Sequence, residues 1–205
     1  HLANTGQTNF ASLAATVGQD LNVAGAINSG VTGKGVTVAV VDSGLEIAHE
    51  DLTDNIVPGS YDFLDLDTDP TNPSNDGDHG TSVAGIIAAT GWNDKGGRGV
   101  APDASLIGYN YIKNQTTSNQ VMVWGVDPPV AASVDIYNLS YGRGYADGET
   151  LYNIQWYLDP EGDLEAALLH GVTELRMGKG AIYLWSSGNE FELHSNSDCG
   201  EYLSC

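Results

Sequence analysis

Val36-Thr37-Val38-Ala39-Val40-Val41-Asp42 is a run of β-branched and small apolar residues that ends abruptly on an acid. Gly33 and Gly35 punctuate the turn before it, and Ser43-Gly44 follows. An unbroken apolar run of this length predicts a strand buried on both faces, the kind found in parallel sheets covered by helices. Working outward, Leu106 to Asn110, Val134 to Leu139 and Ala181 to Trp185 predict three further strands. Between them, His79 opens Gly80-Thr81-Ser82-Val83-Ala84-Gly85-Ile86-Ile87-Ala88-Ala89, small and apolar enough for a buried helix. Glu161 to Met177 carries Leu164, Leu168, Val172 and Leu175 at helical spacing and is closed by Gly178 and Gly180. Asp20-Leu21-Asn22-Val23 reads as the cap of a short helix ending near Gly30, and residues 58–78, rich in Asp, Pro, Asn and Gly, as a long surface loop. Strands alternating with helices predict an α/β fold with a mostly parallel sheet. Reactive groups in such sheets collect at the carboxyl ends of strands, where Asp42 and the turn Ser186-Ser187-Gly188-Asn189 both lie.

Composition narrows the partners. The 205 residues carry 27 acids against 7 Lys plus Arg, a formal net charge of −20. Such a surface repels duplex nucleic acid and anionic membranes, so neither is an expected partner. No apolar run approaches the roughly 18 residues that cross a bilayer. The chain opens at His1 without a basic-then-apolar leader, as a trimmed, mature product does. Asp outnumbers Glu 18 to 9, and residues 35–94 hold twelve carboxylates with no Lys or Arg. Asp is a turn and calcium residue more than a helix former, so this acidity belongs to loop chemistry or to a solvated surface. Cys199 and Cys205 form no metal pattern; they could pair with each other or with residues outside the chain.

A strand ending in Asp42 and a helix starting at His79 suggest a carboxylate–imidazole pair, in which the acid sets the tautomer and the second ring nitrogen acts as a base. The surrounding residues are more specific. Val40-Val41-Asp42-Ser43-Gly44 and His79-Gly80-Thr81-Ser82-Val83-Ala84-Gly85 resemble the Asp and His blocks of subtilisin-like serine proteases. Gly99-Val100-Ala101-Pro102, Asn138-Leu139-Ser140-Tyr141-Gly142 and Ser186-Ser187-Gly188-Asn189 resemble three further blocks of that family, in the family's order. His1-Leu2 with Asp20 to Val23, Glu50 to Asn55, Gly171 to Glu174 and Lys179 to Tyr183 resemble its kexin-like, proprotein-convertase-type branch.

The resemblance implies a three-layer subtilisin-like fold, incomplete in this chain, with residues 1–205 forming the N-terminal portion of a single catalytic domain. It implies that Asp42 orients His79, that His79 is the general base, and that the Asn189 amide donates to the oxyanion, a contribution typically worth about 3–4 kcal/mol. Ser140, Tyr141 and Gly142 then pair with extended substrate backbone and form one wall of the S1 pocket, and Ser186, Ser187 and Gly188, in the oxyanion-hole turn with Asn189, also bind substrate. The family's nucleophile stands in a Gly-Thr-Ser-x-Ala-x-Pro block, and the chain ends sixteen residues after Asn189 without one. Ser82 imitates that block but lies on the His helix, too close to its base for in-line attack. The catalytic Ser is therefore expected on a C-terminal remainder, which becomes a partner; the alternative is an inactive fragment that binds calcium or a basic partner. A dinucleotide enzyme, hinted at by Gly33-Lys34-Gly35, is disfavoured because those glycines precede the strand.

The resemblance also implies Ca2+. Asp51 and Asn93 are expected to supply side-chain oxygens, with the carbonyls of Thr90, Lys95 and Gly97; Asp62, Asp67 and Asp69 resemble a second calcium loop. Two departures bear on specificity: Ser43 stands where convertases often carry a second Asp, and Arg143-Gly144-Tyr145 precedes Asp147. Asn114-Gln115-Thr116 and Asn138-Leu139-Ser140 are glycosylation sequons, the second expected in a strand. The resulting expectation is a secreted, calcium-dependent serine endopeptidase that prefers a basic P1 residue.

Overall fold

The computed structural model describes residues 2, 4–5, 16–74, 77–130, 132–141 and 162–186. Five strands form one parallel sheet: β1 (Thr37–Asp42), β2 (Tyr61–Asp62), β3 (Ser105–Asn110), β4 (Ile136–Leu139) and β5 (Ile182–Trp185), in the order β2-β3-β1-β4-β5. The helices are α1 (Ala24–Asn28), α2 (Asp78–Ala88), α3 (Thr117–Val123), α4 (Asp163–Thr173) and a short α5 (Leu175–Gly178).

The apolar run at residues 36–41 becomes the central strand because both of its faces find a cover. Val38 and Val40 turn toward α2, packing with Leu45, Leu52, Ala84, Ala88 and Leu106. Ala39 and Val41 turn the other way, into a larger core with Tyr109, Trp124, Tyr137, Leu139, Leu164 and Ala167, under α3 and α4. The result is helix, sheet, helix: the expected three layers. From β1 the chain crosses by α2 to β3 on one side, then returns past β1 by α3 to β4 on the other. This reversal opens a crevice at the carboxyl end of β1, where sheets of this type place their chemistry. Asp42 stands there.

Several boundaries differ from the sequence expectation. The loop at 58–78 contains β2, a two-residue strand that pairs Tyr61 with Tyr109 and Asp62 with Asn110. Two residues are too few to show a period. The helix expected through Met177 breaks after Thr173, because Arg176 and Met177 adopt left-handed φ values of 56° and 58°. An ion pair from Arg176 Nε to Asp135 Oδ1, 2.5 Å, holds that bend. The fourth strand starts at Ile136, two residues later than Val134. Helix α3 escapes hydrophobic periodicity, although Thr116 caps it by accepting from Asn119 N at 3.1 Å.

Candidate active site

Asp42 ends β1 with its side chain fully buried and His79 is the second residue of α2. Asp42 Oδ1 lies 2.8 Å from His79 Nδ1 and accepts from Ser43 N at 2.7 Å. The His79 side chain is 57% exposed, so the ring offers Nε2 to the crevice while its other nitrogen is held by a buried acid. A carboxylate in a dry setting binds an imidazolium more strongly than one in water, which is what a base that must take up a proton requires. Asp42 Oδ2 is buried without a hydrogen-bond partner among the described residues. Burying an acceptor in that way is costly, and strain, a working role, or a bound water or ion accounts for such atoms.

Local sequence explains the approach. A Cβ on Gly80 would lie 2.8 Å from Asp42 Cβ and would overlap the Gly44 carbonyl, so only glycine lets the first turn of α2 sit against the end of β1. Gly44, at φ 123°, has its own Cβ position 2.6 Å from the Pro70 carbonyl. Thr81 Oγ1 accepts from Glu46 N at 2.9 Å, and Leu45 N donates to Pro70 O at 3.0 Å. These contacts stitch the strand end, the 58–78 loop and the helix start together.

The substrate-strand residues continue β4. Tyr141 is buried and Ser140 half-buried. Trp185 Nε1 donates to the Tyr141 carbonyl at 3.2 Å, and Ser186 N donates to Leu139 O at 3.1 Å, so β5 braces the segment that leads to the crevice. Asn138 sits in β4 with Nδ2 donating to Ser140 Oγ at 2.8 Å. Ser82 is exposed on α2, three residues along from His79. Gly142, Ser187, Gly188, Asn189, Cys199 and Cys205 lie outside the described residues.

The first metal candidate is assembled in part. Asp51 is 5% exposed; Oδ1 accepts from Asn93 Nδ2 at 2.7 Å and Oδ2 from Gly97 N at 3.2 Å. Left-handed Trp92, Asp94 and Gly96 curl the 90–97 loop around it, and a Cβ on Gly96 would lie 2.5 Å from Asp51 Oδ2. Thr90 Oγ1 is buried without a partner among the described residues, while Asn93 Oδ1 accepts from Lys95 N at 3.2 Å. The donor set suits calcium in kind, with Asn93 needing a half turn to bring its oxygen to the carboxylate. In the second candidate the backbones of Asp62 and Asp67 meet, Asp62 N donating to Asp67 O at 2.8 Å, while the carboxylates are engaged separately. Asp62 is buried, with Oδ1 taken by Leu64 N and Asp65 N and Oδ2 by Asn110 Nδ2, whereas exposed Asp67 and Asp69 each accept from a backbone N–H two residues on. Among the described residues no three His, Cys, Asp or Glu side chains form a metal-binding group.

Sequence reasoning missed two polar residues beside the pair. Asn110, 3% exposed, lies across from Asp42 in the β1–β3 register and ties Asp62 into the same row. Asn72 donates from Nδ2 to the Ser43 carbonyl at 2.7 Å. Their only signal is topological: one is the last residue of the strand that neighbours β1, the other sits inside an otherwise featureless loop.

Comparison with known proteins agrees with this geometry. The Subtilase family model matches residues 33–203. The chain is 37% identical over 196 residues to an Aeromonas extracellular serine protease of Aeromonas sobria, covering 93% of this chain and 30% of that protein. It is 37% identical over 190 residues to Furin-like protease 2 of Drosophila melanogaster, covering 90% of this chain and 11% of that protein. Its fold matches the crystal structure of the A. sobria serine protease in complex with a chaperone, with a TM-score of 0.78 at 36% identity, over 92% of this chain and 30% of the other. The chain thus spans a third or less of the length of these relatives. Family match, related sequences and fold agree with the Asp–His geometry: the chain belongs to the subtilase family of serine proteases, with kexin- and furin-like relatives.

Proposed function

We propose that this chain carries the Asp and His of a Ser-His-Asp endopeptidase whose nucleophilic Ser lies on the C-terminal remainder of the same protease. The supporting observation is the 2.8 Å contact between fully buried Asp42 and half-exposed His79. His79 Nε2 takes the proton from the Ser hydroxyl as its oxygen attacks the scissile carbonyl carbon. The carbonyl becomes an oxyanion to which the Asn189 amide donates, and the imidazolium passes its proton to the departing amine. Water then hydrolyses the acyl-enzyme through the same base, while Asp42 stays ionised throughout. Ser140, Tyr141 and Gly142 pair with the extended substrate backbone, and Ser186, Ser187 and Gly188 belong to the oxyanion-hole turn that leads to Asn189.

The remainder also has a face to cover. Ile182 and Leu184 on β5 are 49% and 53% exposed on the α2 side of the sheet, beyond the reach of α2 itself. The net charge of −20, with Glu46, Asp65, Asp67, Asp69 and Asp78 exposed, favours basic substrates and supports Arg or Lys at P1. Calcium at Asp51 neutralises a buried carboxylate whose described partners, Asn93 Nδ2 and Gly97 N, are neutral dipoles; Thr90, Asn93, Lys95 and Gly97 supply the other oxygens. Like the extracellular A. sobria protease, the whole enzyme is secreted.

His79→Ala in the complete protease is expected to abolish turnover of a chromogenic Arg amide without moving the melting temperature; retained turnover rejects the reading. The inactive-module alternative predicts that an organophosphonate labels no Ser on the complete protein. Chelation is expected to lower the melting midpoint, and an unchanged midpoint rules out a structural ion.

A further inference from the structure

We propose that Asn72 is a positioning residue of the Asp42–His79 pair: its side-chain amide pins the Ser43–Gly44 peptide against which both partners are seated. The inference rests on the proposed hydrolytic reading and extends it to a residue in the 58–78 loop.

The Ser43 backbone is held from both ends. Its N–H donates to Asp42 Oδ1, the same oxygen that meets His79, and its carbonyl accepts from Asn72 Nδ2 at 2.7 Å. The next residue, Gly44, is wedged between the loop and the helix. A Cβ there would lie 2.8 Å from Asn72 Cβ, and the Gly44 carbonyl occupies the space where a Cβ on Gly80, the residue after His79, would stand. Asn72 also braces the start of α2, since a Cβ on Gly77 would lie 2.7 Å from both Asn72 Cβ and Cγ. Its own amide is oriented by Ser74, whose N and Oγ donate to Asn72 Oδ1 at 3.0 and 2.7 Å. That bond assigns the NH2 end to Ser43.

The Ser43–Gly44 peptide links two flanking groups, the Ser43 N–H that fixes the Asp42 carboxylate and the Gly44 carbonyl that seats the first turn of α2, so a displacement of that peptide disturbs both. The Asn72 amide resists that displacement. Without it the carboxylate supports the imidazolium less well, and errors of about 1 Å in such constellations cost up to about 100-fold in rate.

The test uses the complete protease. Asn72→Asp keeps the shape and the acceptor for Ser74 but replaces the donor with a carboxylate oxygen facing the Ser43 carbonyl. Asn72→Ala removes both functions, and Ser74→Ala serves as the loop control. For the two Asn72 variants kcat is expected to fall on the order of 10- to 100-fold with KM within about twofold. In Asn72→Ala, which adds no charge, the acidic limb of the kcat–pH profile is expected to move to lower pH, as His79 loses part of its acidic support. The low-field proton resonance of His79 Nδ1–H, recorded without substrate, is expected to broaden or vanish in Asn72→Asp and to persist in Ser74→Ala. An unchanged limb in Asn72→Ala together with an unchanged resonance in Asn72→Asp overturns the proposal, and a lower melting midpoint on its own marks a merely structural residue and overturns it equally. Because the resonance needs no turnover, it reports on Asn72 even if the protease proves inactive, which would sink only the catalytic reading.

Discussion

Gly80 shows how much a single hydrogen atom in place of a side chain can decide. Its α-carbon faces Asp42 Cβ and the Gly44 carbonyl, backbone and buried atoms that have no easy retreat. Gly80→Ala is expected to destabilise the protease by about 1–3 kcal/mol, as overpacking does, and to lower kcat by pushing His79 away from its acid. Melting and kinetics on one preparation check both effects, and a variant with wild-type values of each would show that the helix start yields freely. Asp42→Asn keeps the shape of the site but not the charge that fixes the tautomer. A loss on the order of 10⁴-fold in kcat is expected, with little change in KM.

At the scale of elements, β5 is the brace for the substrate strand. Tyr183 packs face to face with Tyr137 of β4, ring centroids 4.9 Å apart, and its hydroxyl donates to Trp124 O at 2.6 Å. Trp185 meets Trp124 at 5.4 Å and holds the Tyr141 carbonyl by its indole N–H. That bond fixes the Tyr141 carbonyl in the segment proposed to pair with substrate. Trp185→Phe keeps the ring packing and loses the donor, a change of about 1 kcal/mol. KM is expected to rise for extended peptides and to stay unchanged for single-residue amides; an equal rise for both substrates would argue against a role in holding the strand.

For the whole molecule, the aromatic core carries a pH dependence of its own. Burial raises the hydroxyls of Tyr109 and Tyr183 to about 12. Tyr137 is raised further, by burial first and then by Tyr109 and Tyr183. These groups ionise more easily in the unfolded chain, near pH 10. Their contribution to stability is therefore complete below about pH 10 and is lost as pH climbs toward 12. An alkaline titration followed by tyrosinate absorbance and circular dichroism is expected to show these tyrosines ionising together with unfolding. Ionisation of all of them well below the unfolding transition would contradict the packed ring arrangement.

The α/β class and the parallel sheet were legible in the chain from residue type and period, which are local. Asp42 and His79 are picked out by the resemblance of the blocks around them to a known family, since an acid at a strand end and a His at a helix start are weak signals on spacing alone. What the chain left open were contacts across long separations. β2 is two residues long and exists because Tyr61 and Asp62 meet the end of β3. The bond from Asn110 to the Asp62 carboxylate follows from that pairing and carries no local signal. Asn72 reads as one more polar loop residue until the fold sets its amide on the Ser43 carbonyl, 29 positions away. Period and residue type determine which elements form and which ends carry reactive groups, because those depend on neighbours in sequence. The distances that turn two such groups into a working pair depend on close packing between elements, and only the tertiary structure decides them.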